Sequence, residues 1–515
     1  MAHATRWTIR SLSGNRAQGG GATGLKPGAD LRNRVRREPI EWHLDRRLLL
    51  LSIVVFLCTL AVRIGHVDVL WVDEAYPMAA AERVLHGGVL YRDVWFDKPP
   101  LYAWVYLLWG GQAGWPLRVA GALFAALCAL LAGVTARRLF GAREAVGAAL
   151  LLAFFLTFDH PVATVPLAPD MLTVPFALAA VWAAASGRSI LAGFLAGAAL
   201  HANAKALYLL PVVILWRPRD WWRTLAGYGA AVAAGLAVLT AQGALRDYVQ
   251  QVWSWGVLYS RDSPLANPLV EGIRRTGSWA GFHAALVAGA AVYWWRNRDG
   301  TAARLAFWAL LALGSIALGW RFFPRYYFAL LPALALAAAR GLVLLPARAR
   351  ALLLVLLLGV PAVRFGARHL TLAHETLTGR PHEWQDLAML ADCRAAANRL
   401  KALARPGDSL FVWGYRPELN VLAGMPAANR FLDSQPLTGV FADRHLVTSQ
   451  ASAPRIAQAN RRELAASAPQ FIVDGLGPYN PSLAITAFPD LRDWLAHYEL
   501  GGSTSGTRIY RRRTK

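Results

Sequence analysis

Hydrophobic residues in this chain come in long stretches separated by short polar turns. From Leu48 onward, apolar stretches near the length of about 20 residues that a helix needs to cross a bilayer recur along the chain. The pattern predicts eleven membrane-spanning helices. They lie near 48–66, 115–136, 144–162, 171–186, 189–204, 206–216, 224–243, 279–295, 303–320, 326–345 and 351–365.

The pattern changes after the last of these stretches. Segments with helical periodicity now alternate with short apolar runs that are typical of strands. These elements lie at 384–404, 410–413, 453–467, 471–473 and 507–510. We therefore predict a transmembrane domain over 48–365, followed by a small α/β domain over 366–515.

Basic residues gather in alternate turns between the predicted spans. The even-numbered turns hold twelve Arg and three acids, whereas the first odd-numbered turn, residues 65–114, holds six acids and three bases. Cytoplasmic loops of membrane proteins are enriched in Lys and Arg. We therefore predict a cytoplasmic N-terminus, and we expect loop 65–114 and the C-terminal domain to lie outside the cytoplasm.

Composition agrees with a multi-pass membrane protein rather than a soluble enzyme. Of the 515 residues, 56% are hydrophobic and 17% are charged, against about 25% charged residues in soluble domains. The net charge of +23 lies largely in the cytoplasmic turns and in residues 1–47, which we predict to be a disordered basic leader. Its position therefore argues against nucleic-acid binding. Three Cys without a CxxC pair indicate neither a disulfide framework nor a thiolate zinc site.

Ionisable residues are nearly absent from the predicted spans and collect at their outer ends. An ion-coupled transporter normally needs such groups in mid-membrane. Carboxylates and cations that converge on one face instead suit a site that takes a lipid-linked substrate from the bilayer and an acceptor from water. The candidates are Asp73, Glu74, Asp97, Lys98, Asp170, Lys205, Arg321, Arg325 and Tyr326.

Five short motifs around these candidates resemble, in order, those of the GT-C membrane glycosyltransferases. The similarity is to the bacterial branch related to protein O-mannosyltransferases and to the transferase that adds aminoarabinose to lipid A (glycosyltransferase family 39). The motifs are Trp71-Val72-Asp73-Glu74-Ala75, Phe96-Asp97-Lys98-Pro99-Pro100-Leu101, Pro169-Asp170-Met171-Leu172, Asn203-Ala204-Lys205 and Arg325-Tyr326-Tyr327-Phe328-Ala329-Leu330-Leu331-Pro332. Two positions depart from the family pattern: Arg325 stands where His is common, and Lys205 lacks the Gly that often follows it.

The resemblance implies a polytopic α-helical membrane protein of the GT-C type, with about eleven transmembrane helices and a C-terminal extracytoplasmic α/β domain. It implies a bacterial inner (plasma) membrane enzyme that transfers a sugar from a polyprenyl-phosphate donor. The expected acceptor is an extracytoplasmic glycan, lipid or protein, and the expected stereochemical outcome is inversion at the anomeric carbon. The expected partners are the donor, the acceptor and the lipid bilayer, without nucleic acid.

The resemblance also implies roles for the candidates. An acceptor hydroxyl is a weak nucleophile, so a carboxylate must take its proton, and Asp73 matches the family's catalytic acid. The catalytic residues expected are Asp73, Glu74 and Asp170. Cations neutralise the departing phosphate, and the residues expected to bind it are Lys98, Lys205, Arg325 and Tyr326. The supporting residues expected are Asp97 and Arg321.

Simpler roles and rival functions stay open at this point. Glu74 and Asp170 are placed to cap helix starts, and the stem of Lys205 is long enough to snorkel to the headgroups. No HExxH motif or His/Cys cluster predicts a metal; acids alone are able to hold Mg²⁺ or Mn²⁺, so a divalent ion remains the alternative to a metal-free site. The rival functions are a lipid-linked-sugar transporter or flippase and an O-antigen-ligase-like enzyme with a diphosphate donor.

Overall fold

A computed structural model describes residues 46–513, so the predicted leader over 1–47 lies almost entirely outside the described residues. Thirteen longer helices lie between residues 46 and 379. They are α1 (Arg46–Arg63), α2 (Val72–Leu85), α3 (Trp115–Leu139), α4 (Ala142–Phe155), α5 (Pro169–Ala185), α6 (Ser189–Ala202), α7 (Leu209–Trp216), α8 (Trp221–Ala241), α9 (Pro268–Phe282), α10 (Ala284–Arg296), α11 (Gly300–Ala317), α12 (Leu331–Val343) and α13 (Ala347–Thr378).

Short helical turns connect many of these helices. They are Ile64–His66, Pro100–Trp104, Val105–Trp109, Pro161–Thr164, Ala204–Tyr208, Pro218–Asp220 and Pro324–Ala329. Between α8 and α9 the chain forms one helical stretch with a π-helix in its middle. Its parts are Leu245–Tyr248, Val249–Ser254 and Trp255–Arg261.

Each of the eleven predicted spans overlaps a helix, although the span predicted at 279–295 runs across the break between α9 and α10, and the one at 144–162 extends beyond the end of α4. Within residues 46–513, five helical segments are long and apolar enough to cross a membrane: Arg46–His66, Trp115–Leu139, Pro218–Ala241, Gly300–Ala317 and Ala347–Thr378. Four further apolar helical segments are shorter: Pro169–Ala185, Ser189–Ala202, Ala204–Trp216 and Leu331–Val343. Eleven as the number of spans therefore stays a prediction.

Small residues let α6 and α8 pack backbone against backbone. A Cβ atom on Gly193 of α6 would lie 1.9 Å from the carbonyl oxygen of Thr224, and one on Gly227 of α8 would lie 2.0 Å from that of Ile190. Only glycine fits at such distances, as is usual where membrane helices approach closely. This contact fixes α6, whose C-terminal end leads directly into the Asn203-Ala204-Lys205 motif.

The C-terminal part is a small α/β arrangement. Its main elements are α14 (Ala388–Leu403), β1 (Leu410–Trp413), α15 (Glu418–Ala423), α16 (Pro454–Ala465), β2 (Phe471–Asp474), β3 (Tyr498–Ser503) and β4 (Arg508–Arg512). The sheet has the order β1-β2-β4-β3, with β1 and β2 parallel and the other pairs antiparallel. Its short helical turns are Gln385–Leu387, Gln435–Thr438, Ala442–Arg444, Pro481–Leu483, Ile485–Ala487, Pro489–Leu491 and Arg492–Leu495.

This C-terminal part packs on the loop between α1 and α3. The backbone N–H of Trp95 donates to the carbonyl oxygen of Arg430 at 2.7 Å, and Nη1 of Arg83 donates to that of Ala427 at 2.9 Å. Helix α13 continues 13 residues beyond the last predicted span, to Thr378. The boundary predicted at 365/366 therefore falls inside a helix, and the division into two domains stays a prediction.

Candidate active site

Residues from all five motifs line one cavity of about 320 Å³. They come from segments far apart in the chain: the start of α2, the loop after it, the start of α5, the end of α6 and the turn before α12. The predicted residues on its wall are Asp73, Asp97, Lys98, Asp170, Lys205, Arg325 and Tyr326. Carboxylates, cations and aromatic rings thus meet in a space large enough for a small-molecule ligand.

Asp73 lies in the first turn of α2. A carboxylate is favourable there because the helix dipole places partial positive charge at the N-terminus. Its Oδ2 accepts a hydrogen bond from Nη1 of Arg325 at 2.6 Å, while the Tyr102 hydroxyl donates to its main-chain carbonyl oxygen. The carboxylate is 16% exposed and lines the cavity, so it is held in place yet open to a ligand.

Arg325 connects two of the motif acids. Besides its bond to Asp73, its Nε lies 3.7 Å from Oδ2 of Asp170. The other oxygen of Asp170, Oδ1, accepts from Nδ2 of Asn203 at 2.9 Å. Because Arg presents several donors in a planar fork, one guanidinium orients both carboxylates along the cavity wall.

Lys205 lines the same cavity and, within residues 46–513, forms no ion pair, although the negative charge of Asp170 acts on it. Asn203 Oδ1 accepts from the backbone N–H of Lys205 at 3.0 Å, which fixes the turn. The Nζ atom is buried, lies 3.0 Å from the centroid of the Tyr326 ring, and has no hydrogen-bond partner within residues 46–513. A buried ammonium without a hydrogen-bond partner is costly, so this atom marks a place suited to an anion.

Lys98 and Asp97 form a third part of the wall. Nζ of Lys98 lies 2.9 Å from Oδ2 of Asp97. The loop holding them is braced by tyrosines: the Tyr91 hydroxyl donates to the carbonyl oxygen of Lys98 at 2.8 Å, and the backbone N–H of Asp97 donates to the Tyr76 hydroxyl at 3.3 Å. The pair is therefore pre-positioned at the cavity edge.

Glu74, the neighbour of Asp73, is not among the residues that line the cavity. Its carboxylate is fully buried and accepts from both terminal nitrogens of Arg118, at 2.7 and 2.8 Å. It also accepts from the backbone N–H of Trp71 at 3.4 Å. Neighbouring helical residues point about 100° apart, so Asp73 faces the cavity while Glu74 faces the core. The catalytic role predicted for Glu74 stays a prediction.

Arg321 contributes to the cavity through another residue. It is 1% exposed, and its Nε lies 2.7 Å from Oδ2 of Asp443. Its guanidinium stacks 3.5 Å from the centroid of the Tyr259 ring, which lines the cavity. The supporting role predicted for Arg321 stays a prediction.

The sequence and the fold are similar to those of known membrane transferases. The family model of dolichyl-phosphate-mannose-protein mannosyltransferases matches residues 97–242. The crystal structure of ArnT from Cupriavidus metallidurans bound to undecaprenyl phosphate matches with a TM-score of 0.58 and 16% identity, over 90% of this chain and 97% of that one. The apo structure of the same protein matches with a TM-score of 0.54 and 17% identity over the same shares. The search of curated proteins finds no match.

The chain is similar to glycosyltransferases of the GT-C type. The resemblance found in the sequence is thereby confirmed, and so are the enzyme class and the multi-pass membrane fold. At these identities the structural match establishes the fold, and the assignment of individual site residues rests on the geometry of the cavity.

One wall of this glycosyltransferase's cavity comes from the C-terminal part, which the motifs did not indicate. Tyr415, two residues after β1, lines the cavity near the ring of Tyr76, at 6.1 Å between centroids. Burial, with the carboxylates of Asp73, Asp97 and Asp433 nearby, raises the pKa of Tyr415 well above its usual value. The only sequence signal is its position in a loop after a strand, where functional residues are common.

Two buried acids lie behind this wall. Burial raises the pKa of Glu418 to about 7, and Oε2 of this residue has no hydrogen-bond partner within residues 46–513. Burial also raises the pKa of Asp433 to about 7, with Asp97 as the next cause. Both groups therefore hold a proton more readily than an exposed carboxyl does.

A metal ion in this cavity would have to be held by several side chains together. Within residues 46–513, no group of three or more His, Cys, Asp or Glu side chains is close enough to hold a metal ion. The cavity carboxylates are instead bonded to Arg325 and Lys98. The dependence of this glycosyltransferase on a divalent ion stays a prediction to be tested.

Proposed function

We propose that this glycosyltransferase transfers a sugar from a polyprenyl-phosphate donor to an extracytoplasmic acceptor in a single displacement. The observation that carries the proposal is the buried, unpartnered ammonium of Lys205 in the same cavity as the carboxylate of Asp73. An anion site beside a positioned base is what displacement of a phosphate by a hydroxyl requires. The bound undecaprenyl phosphate in the similar ArnT structure supports a lipid-phosphate donor.

Asp73 acts as the general base in this proposal. The acceptor hydroxyl gives its proton to the carboxylate as its oxygen attacks the anomeric carbon, and the bond from that carbon to the phosphate oxygen breaks. General base catalysis of this kind contributes about 10²–10⁴-fold to the rate. Attack on the face opposite the phosphate inverts the configuration of the anomeric carbon.

The leaving phosphate carries growing negative charge and needs cations. Lys205 supplies an unpaired ammonium, and Arg325 supplies a guanidinium whose geometry matches phosphate oxygens. Lys98, at the cavity edge, adds a third cation, and Tyr326 holds Lys205 against its ring. Fixed charges of this kind stabilise a transition state without reorganisation during the reaction.

A transfer assay with purified full-length protein in lipid nanodiscs tests the proposal. Radiolabelled polyprenyl-phosphate sugars and cell-envelope acceptors are supplied, and transfer is compared for wild type, Asp73→Asn and Asp68→Asn. Asp68 is exposed, lies five residues before Asp73 and is absent from the cavity wall, so it is the matched control. We expect Asp73→Asn to lose about 10²–10⁴-fold in rate and Asp68→Asn to keep it.

Other outcomes of the assay would favour the rival functions. Transfer from diphosphate-linked donors alone would indicate an O-antigen-ligase-like enzyme. Movement of the lipid-linked sugar across the membrane without product would indicate a flippase. If a folded Asp73→Asn variant transferred sugar at the wild-type rate, Asp73 would not be the general base.

We also propose that the protein lies in a bacterial inner membrane with its N-terminus inside and the C-terminal α/β part outside. The arginine-rich turns support this orientation through the positive-inside rule. A reporter active only in the periplasm, fused to the C-terminus, should be active. If instead a C-terminal reporter that works only in the cytoplasm were active, the proposed orientation would be wrong.

A further inference from the structure

A second and larger cavity lies away from the candidate active site. It has a volume of about 690 Å³ and runs between α1, α4, α12 and α13. Its wall is almost entirely aliphatic and aromatic, with side chains such as Leu51, Val54, Leu150 and Leu354. From Arg143 to Thr157 it follows α4 for about 21 Å at 1.5 Å per residue, so its shape is an elongated groove suited to a hydrocarbon chain.

Cations occupy one end of this groove. Arg143 lies at the start of α4 and Arg350 in the first turn of α13, and both line the cavity. Neither side chain forms an ion pair or a side-chain hydrogen bond with another residue in the range 46–513. By contrast, the neighbouring Arg340 is paired with Glu144 at 2.6 Å. The end of the groove therefore carries two cations that the described protein does not neutralise.

The position of these arginines makes an external anion favourable. Both lie at helix N-termini, where the helix dipole disfavours positive charge. An anion placed between them would relieve this repulsion and compensate both charges. An anion joined to a hydrocarbon chain would also fill the apolar groove.

We propose that this groove binds one anionic glycerophospholipid. The phosphate lies between Arg143 and Arg350, and an acyl chain follows α4 toward Thr157. The site lies at the end of α4 opposite the loop that leads to Asp170, so the lipid is a bound structural partner rather than a substrate. The inference does not depend on the transfer reaction.

Lipid binding by the full-length protein tests this directly. Delipidated protein in detergent is titrated with dioleoyl phosphatidylglycerol, dioleoyl phosphatidylcholine or undecaprenyl phosphate, and bound lipid is counted by native mass spectrometry. Each basic residue near a membrane surface attracts an anionic lipid with an effect of about fivefold in affinity. We expect Arg143→Gln and Arg350→Gln each to weaken phosphatidylglycerol binding about fivefold, and the double variant about 25-fold.

Matched variants separate the groove from general surface charge. Arg348 lies in the same helical turn as Arg350 but does not line the groove, so Arg348→Gln should change the affinity less than twofold. Leu150→Trp places a large ring inside the groove and should weaken binding of both phospholipids. Leu123→Trp, on an exposed leucine of α3 outside the groove, should not.

Four results would overturn the proposal. They are equal affinity for the two phospholipids, an equal loss with Arg348→Gln, phosphatidylglycerol binding that survives Leu150→Trp, and a preference of the groove for undecaprenyl phosphate over phosphatidylglycerol. All are read from bound lipid, so failure of the sugar-transfer proposal leaves them unaffected.

Discussion

Replacing Lys205 by Met tests whether the ammonium of this residue serves the transfer reaction or the stability of the fold. Met keeps the length and apolar stem of the side chain and removes only the ammonium. In the structure that ammonium is buried, lies 3.0 Å from the centroid of the Tyr326 ring and has no hydrogen-bond partner within residues 46–513. Its removal therefore costs the folded protein a cation–π contact of about 2 kcal/mol but also relieves the desolvation of an unpaired charge, which costs several kcal/mol.

The substitution should lower the rate of sugar transfer more than it lowers the stability of the folded protein. A hydrogen bond to a charged group contributes about 1.5–3 kcal/mol, and a departing phosphate gains charge as the bond breaks. A loss of about 2–3 kcal/mol of transition-state stabilisation lowers kcat/KM by about 30- to 160-fold. We therefore expect kcat/KM of the Lys205→Met variant to fall by this factor, while its melting temperature stays equal to that of the wild type or rises.

Transfer kinetics and thermal unfolding are measured on the same preparations, with Lys401→Met as the matched control. Lys401 is an exposed lysine near the end of α14, outside the cavity, so this variant should keep both activity and stability. Wild-type kcat/KM in Lys205→Met would show that Lys205 does not bind the leaving group. A lowered melting temperature accompanying the loss would assign Lys205 a structural role instead.

Three further changes test other parts of the cavity. Tyr415→Phe should raise KM about 2- to 10-fold by removing one hydrogen-bonding group, whereas Tyr510→Phe, on the distant strand β4, should leave the kinetics unchanged. Glu74→Gln should lower the free energy of unfolding by about 3–5 kcal/mol because it breaks the buried pair with Arg118; normal stability with lost transfer would restore a catalytic role. Glu418→Gln tests a pH effect: the pKa of Glu418 is raised to about 7 in the folded state, so the folded protein binds the extra proton and this group's contribution to stability declines as the pH rises from about 4 to 7. The stability of the Glu418→Gln variant relative to the wild type should therefore increase as the pH rises across this range, as measured by thermal unfolding. A difference in stability that does not depend on pH would contradict the expectation.

Much of the helical architecture was predictable because long apolar stretches favour membrane helices. Every predicted span overlaps a helix, and the predicted run Leu410–Trp413 is strand β1. Strand β3 gave no such signal: its sequence Tyr-Glu-Leu-Gly-Gly-Ser lacks a regular apolar alternation, and its pairing with β4 is irregular between Leu500 and Gly502. The end of α13 was also missed, since polar residues of its C-terminal half resemble a loop in sequence.

The site was predictable only as far as local motifs reach. Asp73 and Glu74 are adjacent acids, and no pattern told which of them faces the cavity until Arg118 was seen to hold Glu74 in the core. Tyr415 lies more than 300 residues from Asp73, and no motif marks it. Its place on the wall depends on the packing of α15 against α2, a contact between distant parts of the chain.

The charges of the cavity indicate how donor binding and base catalysis are linked. Asp97 is paired with Lys98, and Arg325 is shared by Asp73 and Asp170, which leaves Lys205 as the cation without a hydrogen-bonded partner. A donor phosphate attracted to Lys205 also competes for the guanidinium of Arg325. A phosphate that accepts from Arg325 would share this guanidinium with Asp73, whereas Asp170 also accepts from Asn203. In the proposed reaction, a bound phosphate would weaken the hold of Arg325 on the carboxylate of Asp73, so this arginine would link the general base to the donor.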